Sequence, residues 1–190
     1  MEAICGKRTY FINRDTLRSL ASRYQSVAID LGTGDGRYVR HVAGTVPNCL
    51  ALGIDACREN LRDTSRRASA NALYLIANAL DLPIELAGLA TRITINFPWG
   101  SLLAGLLDGH PGLLAGLGMI STHDAVVEAH LNAGALDEQG WLLASGAEQI
   151  RLVLGQDGWE VPAPLDMSPD MLQGIQTTWA RRLAWGRDPR

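Results

Sequence analysis

An apolar run at 27–31, Val-Ala-Ile-Asp-Leu, empties directly into three glycines at alternate positions, Gly32, Gly34 and Gly36, and a helical pattern follows at 36–43. Nothing else in the chain restricts the fold as much. Glycine has no Cβ, so such a turn can fold tightly and let a ligand approach its backbone, with Thr33 between the first two glycines. The helix that follows aims its free N–H groups at anything anionic. A second apolar run, 50–55, ends in Asp55, about 20 residues beyond the turn, where a nucleotide-binding βαβ unit places its ribose-binding carboxylate. The spacing Gly-x-Gly-x-Gly departs from the Gly-x-Gly-x-x-Gly of dinucleotide sites, and no second phosphate is cradled. The register therefore points to an adenosine-bearing cofactor whose charged end is a carboxylate, S-adenosyl-L-methionine. A solvated acid at a strand end is the competing reading of Asp55.

The rest of the chain alternates in the same manner. Strands are expected at 27–31, 50–55, 72–77, 92–97 and 118–123, and helices at 14–24, 36–43, 58–68, 102–107, 113–117 and 144–154. Residues 159–161 read as an added antiparallel strand. This is an α/β chain with a mostly parallel, Rossmann-like sheet and right-handed crossovers. With 190 residues, one domain over 1–190 is expected, carrying insertions near 124–143 and 162–169. Hydrophobic residues at 47% and charged residues at 19% exclude widespread disorder. No uncharged apolar span reaches membrane length, and a cytoplasmic monomer is expected. Cys5, Cys49 and Cys57 lack metal-ligand spacing, so no metal site is expected. His123 and His130 read as surface or loop residues.

The run Asn96-Phe97-Pro98-Trp99-Gly100-Ser101 stops the strand at 92–97, because proline cannot donate to a sheet ladder. Strand ends in an open parallel sheet face the ligand crevice, so Trp99 and the backbone of 96–98 would line a site for a planar guest such as a nucleobase. A second indole, Trp179, lies beside Arg181 and Arg182 near the end of the chain. Two indoles can hold one extruded base while arginines grip its flanking phosphates; packing of either indole in a core is the alternative. Charge is polarised: residues 93–180 carry Arg151 as their single Lys or Arg against ten acids, while cations cluster at Lys7, Arg8, Arg14 and Arg18, at Arg58, Arg62, Arg66 and Arg67, and at Arg181, Arg182, Arg187 and Arg190, with ordinary solvated faces as the competing reading. Arginine binds phosphate bidentately, so these clusters read as an RNA footprint.

The motifs Asp30-Leu31-Gly32-Thr33-Gly34-Asp35-Gly36-Arg37, Gly53-Ile54-Asp55, Phe97-Pro98-Trp99-Gly100 and Trp179-Ala180-Arg181-Arg182-Leu183-Ala184-Trp185-Gly186-Arg187 together resemble the aminoglycoside-resistance 16S rRNA (adenine(1408)-N1)-methyltransferases of the kanamycin-apramycin type. The resemblance implies a class I S-adenosylmethionine-dependent methyltransferase fold. It implies recognition of 16S rRNA within the 30S ribosomal subunit, with the target adenine flipped between Trp99 and Trp179 beside Phe97 and Pro98. Asp30 and Asp55 match its cofactor-site acids, with Ala79, Leu80 and Asn96 completing that site; relatives carry an acid where Leu80 stands, and Asp81 or the backbone alone is the substitute. Arg66, Arg67, Arg181, Arg182 and Arg187 match its rRNA contacts. Relatives continue into a final strand after the position of Arg190, so that strand is either absent or trimmed. A methyltransferase for tRNA or a small molecule, or a weakly active rRNA-binding homologue, are the other readings.

Overall fold

The computed structural model of the chain describes residues 1–185. A hairpin opens the fold, β1 (Glu2–Cys5) and β2 (Arg8–Phe11), followed by α1 (Arg14–Ala21). Alternation then begins with β3 (Ser26–Leu31), α2 (Arg37–Thr45), β4 (Cys49–Asp55), α3 (Arg58–Ser65) and β5 (Ala72–Ile76). It continues with β6 (Ala90–Asn96), α4 (Gly100–Asp108), α5 (Pro111–Ile120) and β7 (Ser121–His130). The helices α6 (Ala133–Glu138), α7 (Leu143–Gln156), α8 (Pro169–Gly174) and α9 (Thr178–Ala184) follow.

One seven-stranded sheet runs in the order β2-β1-β5-β4-β3-β6-β7. The five strands β5, β4, β3, β6 and β7 are parallel, and the hairpin adds to the β5 edge in antiparallel fashion. β4 is buried along almost its whole length, as expected of a parallel strand covered on both faces. Leu50, Leu52 and Ile54 belong to the larger core with Ile29, Ile93 and Ile95, while Ala51, Val39, Leu61 and Tyr74 fill the layer beneath α2 and α3. From β3 the chain crosses over α2 to β4 on one side, whereas β6 pairs on the other. The order thus reverses at β3, and a crevice opens beyond the carboxyl ends of β3 and β6.

Several expected elements differ. The opening hairpin was not foreseen, because eight strand residues flanking Gly6 and Lys7 carry too little alternation to stand out. Residues 118–120 finish α5, and the strand expected at 118–123 is β7, which runs on to His130 and absorbs the first part of the expected 124–143 insertion. β7 is a half-exposed edge strand rich in Asp, Glu and His, which gives it the composition of a loop; its register with Arg92–Asn96 on β6 decides the matter. Residues 159–161 have no regular structure instead of a strand, and among the described residues no strand follows β7. No single described helix is long and apolar enough to cross a membrane.

Candidate active site

The crevice holds a cavity of about 470 Å³. Its floor is the glycine turn after β3, where Gly32, Gly34 and Gly36 all have positive φ. Gly36 caps α2 at φ 68°, and a Cβ there would stand 2.5 Å from the Tyr74 ring, whose hydroxyl donates to the Gly36 carbonyl. Gly34 faces open space, so a ligand can lie on its backbone. Asp55, at the end of β4, accepts from the Gly34 N–H at 2.8 Å and from the Cys57 N–H at 2.8 Å. The acid thereby holds the glycine turn in place while it lines the cavity.

Asp30 is 4% exposed, and its Oδ1 accepts from Thr94 Oγ1 and Asn96 Nδ2, each at 2.8 Å. Burial pushes its carboxyl up to about 6, against the hydroxyl and amide donors around it. Because the ionised carboxylate can only accept, Asn96 turns its Nδ2 toward it and leaves its Oδ1 to accept from His130 Nδ1 at 2.8 Å. Burial pushes the His130 imidazole below its ordinary value, which keeps it neutral near pH 7. His130 lies at the end of β7 and its carbonyl accepts from the Phe97 N–H at 2.7 Å. Phe97 is held at φ 52°, a conformation that costs about 1–3 kcal/mol for a residue with a side chain. That bond and its packing with Ile175 and Ala180 fix it there.

The strained turn carries Pro98 and delivers Trp99 to the cavity wall. Opposite, Thr177 caps α9 through the Ala180 N–H, and Thr178 donates to Asp35 of the glycine turn at 2.9 Å. This sets Trp179 against Trp99, ring centroids 5.0 Å apart and planes inclined by 30°. Arg182 stands over the Trp179 ring at 5.2 Å. Optimal carbon–carbon contact is about 3.5–4.0 Å, so an interposed base needs the rings about 7–8 Å apart; here the indoles touch each other instead. Two buried polar atoms on this wall have no protein partner, Thr33 Oγ1 and Trp99 Nε1. An open glycine backbone and two carboxylates lining one cavity fit a polar ligand of nucleoside size.

A family described as NpmA, 16S rRNA (adenine(1408)-N(1))-methyltransferase, matches residues 2–190. The chain belongs to this family. A 16S rRNA (adenine(1408)-N(1))-methyltransferase of Escherichia coli is 30% identical over 96% of this chain and 91% of its own length. One from Streptoalloteichus hindustanus is 32% identical over 99% and 94%. Among solved structures, the 16S rRNA methyltransferase KamB superposes with a TM-score of 0.88 at 30% identity, over 99% of this chain and 94% of that one. S-adenosyl-L-methionine is accordingly the methyl donor of this methyltransferase, and the cavity residues that could hold it are those of the glycine turn with Asp30, Asp55 and Ala79.

Of the residues singled out from sequence, Asp30, Gly32, Thr33, Gly34, Asp55, Ala79, Asn96, Phe97, Pro98, Trp99 and Trp179 all line the cavity. Gly36 supports it from beneath α2. Leu80 turns its side chain toward Gly105 on α4, away from the cavity. Arg66, Arg67 and Arg181 meet in a separate groove, Arg182 lies over Trp179, and Arg187 is outside the described residues. Sequence reasoning missed Asp35, Thr178 and His130, whose roles arise from bonds between elements 143 residues apart for the first pair and 34 for His130 and Asn96.

Proposed function

We propose that this family member methylates N1 of adenine 1408 in 16S rRNA of the assembled 30S subunit and thereby gives resistance to kanamycin and apramycin, with the adenine flipped between Trp99 and Trp179. The observation that carries the reading is the pair of indoles stacked at 5.0 Å across the mouth of the cofactor cavity. When bound, S-adenosyl-L-methionine supplies an electrophilic methyl group on its sulfonium. Adenine N1 brings its own lone pair, so the site needs no strong general base, and among the cavity residues with a displaced pKa Asp30 is already committed to Thr94 and Asn96. Catalysis is then placement: Trp99 and Trp179 grip the two faces of the ring and exclude water, and the Phe97–Pro98 turn, fixed by His130, sets where Trp99 stands. The carbonyls of residues 96–98 are the acceptors nearest in sequence to Trp99 for the exocyclic amine.

Arg66, Arg67 and Arg181 bind the rRNA backbone in this reading, and Arg182 stiffens Trp179 by covering its ring. The test is mass spectrometry of 30S subunits, free 16S rRNA and tRNA after incubation with labelled donor. Label at adenine 1408 of 30S subunits alone is the expected result; label in tRNA, or none in any RNA, contradicts it.

A further inference from the structure

Next to the cofactor cavity lies a groove of about 620 Å³. Its walls include Arg37, Arg40 and His41 of α2, Arg66 and Arg67 after α3, and Arg181 of α9, with Asp63 as its one acid among the described residues. Two of these cations have an ion pair among the described residues: Arg37 with Asp35 at 2.9 Å, and Arg66 with Asp63 at 3.9 Å. Arg40 and Arg67 have neither an ion pair nor a side-chain hydrogen bond there, and Arg181 donates to the neutral Gln176 at 2.9 Å. All five arginines are exposed. Several guanidinium groups lining one groove favour an anion between them, and two-pronged donors of this kind match phosphate oxygens.

The groove and the cavity share a wall. Asp35 and Thr178 line the cavity, while Arg37, Gln176 and Arg181 line the groove, each two or three residues along the same segments. Thr64 lines the groove too, and its hydroxyl donates to the Asp35 carbonyl, which ties the α3 end to the glycine turn. A strand whose base enters between Trp99 and Trp179 therefore leaves its flanking phosphates at the open end of this groove.

We propose that α2 itself is an RNA-binding element, in which Arg40, with Arg37 and His41, forms one side of a track for the rRNA sugar–phosphate backbone beside the flipped nucleotide, facing Arg66, Arg67 and Arg181 across the groove. The proposal rests on rRNA being the substrate, and adds to the α3 and α9 arginines a helix that the charge clusters in the sequence did not single out. Arg40 projects from the exposed face of α2, whose buried face is carried by Val39 and Ala43, so its replacement leaves the core intact.

The decisive experiment measures 30S affinity of Arg40→Glu and Arg40→Glu/His41→Glu against salt concentration, with Arg23→Glu as a matched charge change. Arg23 is exposed and sits just before β3, at the end of the sheet away from the crevice. Arg40→Glu should flatten the log–log salt slope by about 1, and the double variant should flatten it no less. Arg23→Glu should leave the slope as in the wild type, and calorimetry should find S-adenosylhomocysteine affinity unchanged in all three. A wild-type slope in both α2 variants, an equal loss in Arg23→Glu, or weaker 30S binding at constant slope, which would indicate a ribosomal protein in the groove, overturns the proposal. A wild-type enzyme that binds and methylates no 30S subunits is a different result, and removes the substrate assignment instead.

Discussion

Asp30 and Asp55, on one side of the cavity, are held by several donors from the ends of the sheet and the segments that follow them; Trp99 and Trp179, on the other, rest on each other with an indole N–H unpartnered. The first region is built by strands in register, so its geometry follows from the core. The second is built by a strained turn at Phe97 and by the seven-residue α9. Among the described residues, one side-chain hydrogen bond, Thr178 to Asp35, ties α9 to the glycine turn. On the proposed reading, the donor site stands formed without the base, whereas the slot between the indoles is closed and a nucleobase opens it by replacing indole–indole contact with two stacking faces. A flat guest that supplies less than two full faces does not repay that separation, which selects for an extruded base.

The comparison breaks most visibly at the indoles. Trp99→Ala or Trp179→Ala should lower 30S methylation by at least about 100-fold, since stacking contributes about 1–3 kcal/mol per base and misplacing N1 by about 1 Å costs a similar factor again. Cofactor affinity should stay within about threefold, and Phe or Tyr should restore part of the rate because each keeps a π face. Variants that unfold in circular dichroism would make these indoles packing residues.

On the other side of the cavity, Asp55→Ala should weaken S-adenosylhomocysteine by about 1–3 kcal/mol in calorimetry, through loss of charge-assisted hydrogen bonds and release of the Gly34 N–H. Unchanged affinity would take Asp55 out of the donor site.

Asp30 sharpens the picture through pH. Its folded-state value of about 6 lies above the ordinary 3.8, so its contribution to stability is full below about pH 4 and is lost as pH rises through 6. Asp30→Asn keeps an oxygen for Thr94 and Asn96 while removing the buried charge. In urea unfolding the variant should match the wild type near pH 4 and exceed it by about 3 kcal/mol above pH 7. A variant that is less stable at pH 7 would show the charge to be compensated. The smallest effect belongs to Thr178→Val, which should cost about 1 kcal/mol of stability and change the methylation rate while leaving donor affinity as it was; a donor affinity that falls with it would mean that the two regions are one unit.

How much of this was legible in the sequence follows the same division. The glycine turn, Asp55 and the Phe97–Trp99 run are local signals, and strands β3 to β6 appeared within a residue or two of where they were expected. His130 was read as a loop residue because β7 is a polar edge strand, and nothing local shows that its ring meets Asn96 across two strands. Arg40 was not singled out because its neighbours in the groove come from α3 and α9. That the indoles would touch was invisible too, since spacing along a chain gives the faces of a helix but not the gap between two elements.

The most direct test of the central claim is an experimental structure with S-adenosylhomocysteine bound and no RNA. We predict that Trp99 and Trp179 remain in contact, near the 5.0 Å centroid separation seen here, with Asp55 still holding the Gly34 N–H. Indoles spread to about 7–8 Å by the cofactor alone, or a glycine turn rebuilt around it, would contradict the division between a preformed donor site and a slot that the base must open.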